Sequence, residues 1–76
     1  MEEIDLHGMS VLEAKKALEK LLAFLPNDVK ELRVIHGYST GNELKKMVQD
    51  KTVLRSKRIM ARKYTKNQGE TILLLV

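Results

Sequence analysis

The stretch Glu3-Ile4-Asp5-Leu6-His7-Gly8, read together with Glu31-Leu32-Arg33-Val34-Ile35-His36-Gly37, decides the fold. In the first, Ile4 and Leu6 share one face of an extended segment and Asp5 and His7 the other. This predicts a strand over Glu3–Leu6, ended by Gly8. In the second, Leu32 and Val34 alternate with Arg33, Ile35 adds an apolar residue to the polar side, and Gly37 ends a strand over Glu31–His36. Between them, Ser10 stands three residues before Glu13, the spacing of a capping box. The helix it opens is predicted over Val11–Leu25. Ala14, Leu18, Leu21, Leu22 and Leu25 form its apolar stripe, and Lys15, Lys16, Glu19 and Lys20 its wet side. Pro26 and Asn27 stop it. Two strands joined through a helix pair in parallel, with a right-handed crossover.

Beyond Gly37, the polar turn Gly37–Asn42 opens a second helix, with Ser39, Thr40 or Asn42 as its cap. Leu44, Met47 and Val48 recur at helical spacing, and Lys51 and Leu54 extend or close the element. A third strand is predicted over Arg58–Tyr64, with Ile59 and Ala61 on one side and Met60, Arg62 and Tyr64 on the other. Asn67, Gln68 and Gly69 mark a hairpin turn. The last strand, Thr71–Val76, is apolar on both faces, which places it inside the sheet. The expected fold is an α/β two-layer sandwich of order β-α-β-α-β-β. It has a mixed four-stranded sheet and its helices largely on one face. Ile35, Met60, Leu73 and Leu75 suggest an apolar second face able to bind bases, a partner or another copy of the chain.

A chain of 76 residues makes one domain, expected here to stand alone over residues 1–76. It contains no cysteine, which removes disulfides, thiolate nucleophiles and zinc–sulfur sites and fits a cytoplasmic protein. The acidic start Met1-Glu2-Glu3 is not that of a secretory signal, and the apolar run Ile72–Val76 is too short to span a bilayer. No membrane partner is expected. The net charge of +4 is unevenly spread: residues 1–40 carry five basic and seven acidic groups, and residues 41–76 nine basic and three acidic. A positive half favours a polyanion such as nucleic acid, although a solvated basic surface has the same composition.

The chemistry concentrates at the two His-Gly turns. Both fall at the carboxyl ends of the predicted parallel strands, where open α/β sheets bind ligands, and both precede a helix start suited to phosphate. His7 and His36 are candidate general base and general acid for a phosphodiester. Asp5, two residues before His7, points to the same side and can orient its imidazole. Asp5, His7 and His36 also form an incomplete metal set, so a divalent ion such as Mg or Mn is an option rather than a requirement. Gly8, Gly37 and Gly41 let backbone approach a ligand. Tyr38 and Tyr64 can stack on bases, or Tyr64 can pack on the sheet edge. Ser39 and Thr40 read as caps or phosphate contacts rather than nucleophiles. Lys45, Lys46, Arg58 and Arg62 are candidate phosphate contacts, or members of an ordinary wet face. RNA is the easier substrate, because its 2′-hydroxyl supplies an internal nucleophile. The glycine spacing matches neither a P-loop nor a dinucleotide-binding fingerprint.

At these turns the sequence resembles the Smr (small MutS-related) domain family. Ile4-Asp5-Leu6-His7-Gly8 is similar to its opening Leu-Asp-Leu-His-Gly, and Glu13-Ala14 falls where the family often has Glu-Ala. Val34-Ile35-His36-Gly37 is similar to its second motif, which continues His-Gly-x-Gly-x-Gly-x-Leu. Here Ser39 stands for the middle glycine, Gly41 is kept, and Leu44 comes one position late. Before the last strand the family's Gly-Gly-x-Gly-x-Thr is reduced to Gly69 and Thr71. The resemblance covers nearly the whole chain. It implies nucleic-acid binding, DNA nicking or RNA cleavage in repair, recombination or RNA processing, with Asp5, His7, His36, Gly37 and Gly41 at family positions. Implied partners are DNA or RNA, with a second copy or a repair- or ribosome-associated protein beside them. The alternatives are a non-catalytic nucleic-acid adaptor and a protein-interaction module.

Overall fold

The computed structural model describes residues 2–37 and 42–76. Its elements follow the expected order: β1 (Glu2–Asp5), α1 (Val11–Phe24), β2 (Glu31–Ile35), α2 (Glu43–Gln49), β3 (Ile59–Tyr64) and β4 (Glu70–Leu75). The four strands form one mixed sheet, ordered β1-β2-β4-β3. β1 runs parallel to β2, and β4 is antiparallel to both of its neighbours. Strand β1 lies one residue earlier than predicted. Pairing nonetheless continues past it, because the Leu6 N–H donates to the Ile35 carbonyl at 2.7 Å.

Helix α1 forms for the reasons read in the sequence. Ser10 accepts from the Glu13 N–H, and Glu13 accepts from the Ser10 N–H, so the capping box is closed both ways. Ala14, Leu18, Leu22 and Leu25 are buried, while Leu21 is half-buried at the edge of the stripe. Both helices cover one face of the sheet. Leu18 and Leu22 of α1 and Met47 and Val48 of α2 join Leu6, Leu32, Val34, Leu73 and Leu75 in one core. Burial of each such leucine contributes about 1.5–3 kcal/mol.

Three expectations are corrected. First, α2 ends at Gln49 rather than reaching Lys51 or Leu54. Asp50 caps it and accepts from the Thr52 N–H and hydroxyl, which turns the chain so that Leu54 enters the core outside any helix. Asn42 stands at the N-cap without a side-chain bond, and Ser39 and Thr40 lie outside the described residues.

Second, a bulge interrupts β3. Ile59 pairs with Leu75, but Ala61 pairs with Leu74, the next residue back along β4. One extra residue reverses the alternation. Arg62 and Tyr64 therefore share the helix-side face with Ile59, and Ala61 turns outward to solvent.

Third, Leu73 and Leu75 lie under the helices, not on the second face. The uncovered face carries Ile35, Ile72 and Leu74 around Arg33, whose guanidinium lies 3.3 Å from both Glu3 and Glu70.

Arg58 and Arg62 are structural in this fold. The Arg58 guanidinium donates to the carbonyls of Leu22, Leu25, Pro26 and Val29, and through Nε to Val76. It closes the carboxyl end of α1, whose last turn has no basic residue of its own. Arg62 does the same for α2, donating to Val48 and Leu54 at 2.7 Å each. Leaving such carbonyls without a donor costs about 1–3 kcal/mol for each buried group. We expect Arg58→Lys and Arg58→Ala to lower unfolding free energy by about 2–4 kcal/mol in urea titrations, comparable to a core Leu18→Ala. A loss below 0.5 kcal/mol would contradict this role.

Candidate functional site

The chain leaves β1 through a turn built on Asp5. Its Oδ1 accepts from the His7 backbone N–H at 3.1 Å and lies 2.5 Å from His7 Nδ1. A carboxylate only accepts, so Nδ1 carries a proton, and in the neutral ring Nε2 presents its lone pair. The His7 side chain is 72% exposed, and among the described residues Nε2 meets no partner. The bond from the His7 side chain, followed by that from its backbone, holds the Asp5 carboxyl below its ordinary 3.8. Asp5 therefore stays ionised wherever the imidazole needs orienting. Gly8 follows at φ +85°, a conformation that side chains disfavour, and the Met9 N–H returns to the Leu6 carbonyl.

The second turn has the same two residue types in the opposite environment. His36 is 4% exposed. Its Nδ1 lies 3.0 Å from the Gly37 carbonyl and its Nε2 lies 2.9 Å from Thr71 Oγ1. The carbonyl requires a proton on Nδ1, so Nε2 accepts from the Thr71 hydroxyl. Thr71 in turn accepts from Gln49 Nε2 at 3.1 Å. A buried relay thus runs Gln49, Thr71, His36, Gly37 carbonyl, with every donor used once. The backbone is fixed as firmly, since the His36 and Gly37 N–H groups both donate to the Gly69 carbonyl.

The two turns touch. Gly37 has φ +75°, and a side chain there would begin 3.6 Å from His7 Cβ. Beside them a cavity of about 330 Å³ is lined by Gly8, Met9, Ser10, Val11, His36, Glu43 and Leu44. It lies between the starts of the two helices. A larger hollow of about 480 Å³ sits at the other end of the sheet, where Glu2, Asp28 and Glu31 oppose only Lys30. That carboxylate set repels phosphate.

The structure thus brings together Asp5, His7, Gly8, Gly37 and the ring of His36. It does not bring Arg58 or Arg62 to this end as free cations, because carbonyls occupy their guanidinium groups. Lys46 is exposed on α2, and Lys45 is half-buried beside the β3–β4 hairpin. Tyr38, Ser39, Thr40 and Gly41 lie outside the described residues. Among the described residues no group of three His, Asp or Glu side chains converges that could hold a metal ion. Sequence reasoning missed Gln49 altogether and read Gly69 and Thr71 as hairpin turn, strand start and remnants of a motif, not as partners of His36. The available signal was Thr71, the one polar residue in the run Thr71–Val76.

A model of the Smr domain family matches residues 4–76. Among solved structures, the Smr domain of Thermus thermophilus MutS2 superposes with a TM-score of 0.74 at 27% identity, over 100% of this chain and 99% of that one. No curated protein matches.

Since the folded-state pKa of Asp5 lies below 3.8, the His7 bond stabilises the fold above that pH, and the contribution is lost as pH falls through the lower value. In carbon-detected NMR titration we expect the Asp5 carboxyl midpoint below 3.8, rising part of the way toward the ordinary range in His7→Ala, which removes the side-chain bond and keeps the backbone one. An unchanged midpoint would refute the bond. Nitrogen shifts of both imidazoles should show the Nδ1-protonated tautomer in the neutral ring.

Proposed function

Since this chain belongs to the Smr domain family, we propose that it binds nucleic acid and cleaves phosphodiester bonds, with RNA the better substrate. The observation that carries this reading is His7: exposed, held through Nδ1 by an ionised Asp5, and set against Gly37 where two parallel strands end. On RNA, Nε2 of His7 takes the proton of the 2′-hydroxyl. The 2′-oxygen attacks phosphorus, and the 5′-oxygen leaves with a proton from water. The products are a 2′,3′-cyclic phosphate and a 5′-hydroxyl. One imidazole suffices for this, whereas DNA needs an activated water as well. Asp5 maintains the productive tautomer throughout.

In this scheme His36 is a positioning residue. Its ring nitrogens hold Gly37 and Thr71, which replaces the earlier two-histidine acid–base pairing. Phosphate charge falls to Lys45 and Lys46, with Gly8 and Gly37 as backbone contacts, and Tyr38, Ser39, Thr40 and Gly41, outside the described residues, stay candidates for phosphate or base contact. Among the described residues no helix is long and apolar enough to cross a membrane, and we place the domain in the cytoplasm, acting on its own or beside a repair- or ribosome-associated protein. The second reading, a non-catalytic adaptor, is favoured by the commitment of His36 to internal bonds, which takes it out of reach as an acid for the leaving group.

His7→Ala should slow cleavage of a single-stranded RNA by at least about 100-fold, with the fold retained and binding affinity unchanged. Equal rates would leave the adaptor, and cleavage confined to DNA would overturn the RNA mechanism. Lys46→Ala should weaken binding to all sequences alike and flatten the slope of log K against log salt by about 0.7.

A further inference from the structure

The antiparallel return of β4 and β3 brings a second feature to the end of the sheet that carries His7. Ile35 pairs with Glu70, and Thr71 pairs with Tyr64, so the end of β3 and the β3–β4 hairpin stand level with the histidine turns. Along this edge the order is His7, Gly37, Gly69, Tyr64, following β1-β2-β4-β3. Three strand spacings separate its ends, about 14 Å. The bulge at Met60 turns Tyr64 to the helix side, where it borders a cavity of about 190 Å³ against α2. Lys45 and Gln49 form the α2 wall, and Asn67, Gln68 and Glu70 the hairpin wall.

The polar groups of this cavity are oriented from within. Asn67 Oδ1 accepts from the Gly69 N–H at 2.8 Å, which turns its amide nitrogen outward as a donor. Gln49 spends its Nε2 on Thr71, which leaves Oε1 as an acceptor. The Glu70 carboxylate, which would repel a nucleotide, is engaged by the Thr65 hydroxyl at 2.9 Å and lies 3.3 Å from Arg33. Tyr64 is 61% exposed, an aromatic ring left in water for no packing gain. A ring face, one donor, one acceptor and a lysine are the groups that recognise an unpaired nucleobase with its phosphate. The volume is well below the roughly 300 Å³ of sites that engulf drug-sized ligands, so it suits one base rather than a whole nucleotide.

We propose that Tyr64, Gln49 and Asn67 form a base-binding subsite that seats an unpaired base of a single strand a few nucleotides from the phosphate presented to His7. The subsite rests on the nucleic-acid reading above and specifies its substrate as single-stranded. A duplex keeps its bases stacked and cannot offer a ring to Tyr64.

The chain has no tryptophan and only two tyrosines, so Tyr38→Phe makes Tyr64 the sole fluorophore above 300 nm. In that background a single-stranded oligonucleotide should quench tyrosine emission, and an abasic strand of equal length should not. By anisotropy, Tyr64→Ala should weaken oligonucleotide binding by about 5- to 100-fold while Tyr64→Phe stays within about twofold. The abasic strand should bind both variants and the parent alike. Thermal melts of both variants should match the parent, as the ring lies outside the core. If the parent binds oligonucleotide but Tyr64→Ala binds it equally well, or if base and abasic strands quench alike, the subsite is refuted and the wider reading stands. If the parent binds no nucleic acid even at low salt, both fall.

Discussion

The parallel ladder between β1 and β2 sets everything at the functional end. Its register places Asp5 beside Ile35, and one further bond, Leu6 N–H to the Ile35 carbonyl, carries the pairing into the turn. A shift by a single residue would move His7 off Gly37 and turn Asp5 to the other face of the sheet. The register is in turn held by burial: Ile4 and Leu6 reach the core beside Val34, and a one-residue slip would turn both to the outer face. The geometry of the exposed dyad is thus fixed by apolar residues packed on the other side of the sheet.

Two histidines in nearly identical sequence settings end in different chemistry. His7 follows a strand whose edge is open, and among the described residues its ring is anchored by a carboxylate two residues back. His36 leaves a strand paired on both edges, to β1 and β4, and its partners come from residues 37 and 71, the latter held by Gln49. The local dipeptide His-Gly marks the end of a strand and the need for an unusual backbone angle. Whether the ring then meets water or threonine is decided by elements distant in sequence.

The same distinction separates what the sequence made legible from what it did not. Element order, the capping box of α1, the parallel pair and the hairpin were readable because propensity, periodicity and turn chemistry act within a few residues. Arg58 and Arg62 were read as surface charge because their acceptors are backbone carbonyls up to 36 residues away, which no local pattern encodes. The basic excess of residues 41–76 consequently overstates the charge offered to a polyanion, since both of these cations are turned inward. Alternation likewise misplaced Ala61, because nothing in Ile59-Met60-Ala61 announces a bulge. At the site, Asp5 and His7 were legible from their spacing, whereas Gln49 joined only through its contact with Thr71.

The bulge also leaves this chain a tolerance in length. Met60 is the supernumerary residue of β3, exposed and without a core contact. Ile59 and Ala61 already face consecutive residues of β4, Leu75 and Leu74, so loss of Met60 would join them in unbroken alternation. Arg62 would keep its place at the end of α2, and Tyr64 its side of the sheet. An in-frame loss of this one codon would therefore be milder than the loss of any residue from Ala61 to Lys63, which would slip the pairing and turn side chains to the wrong surface.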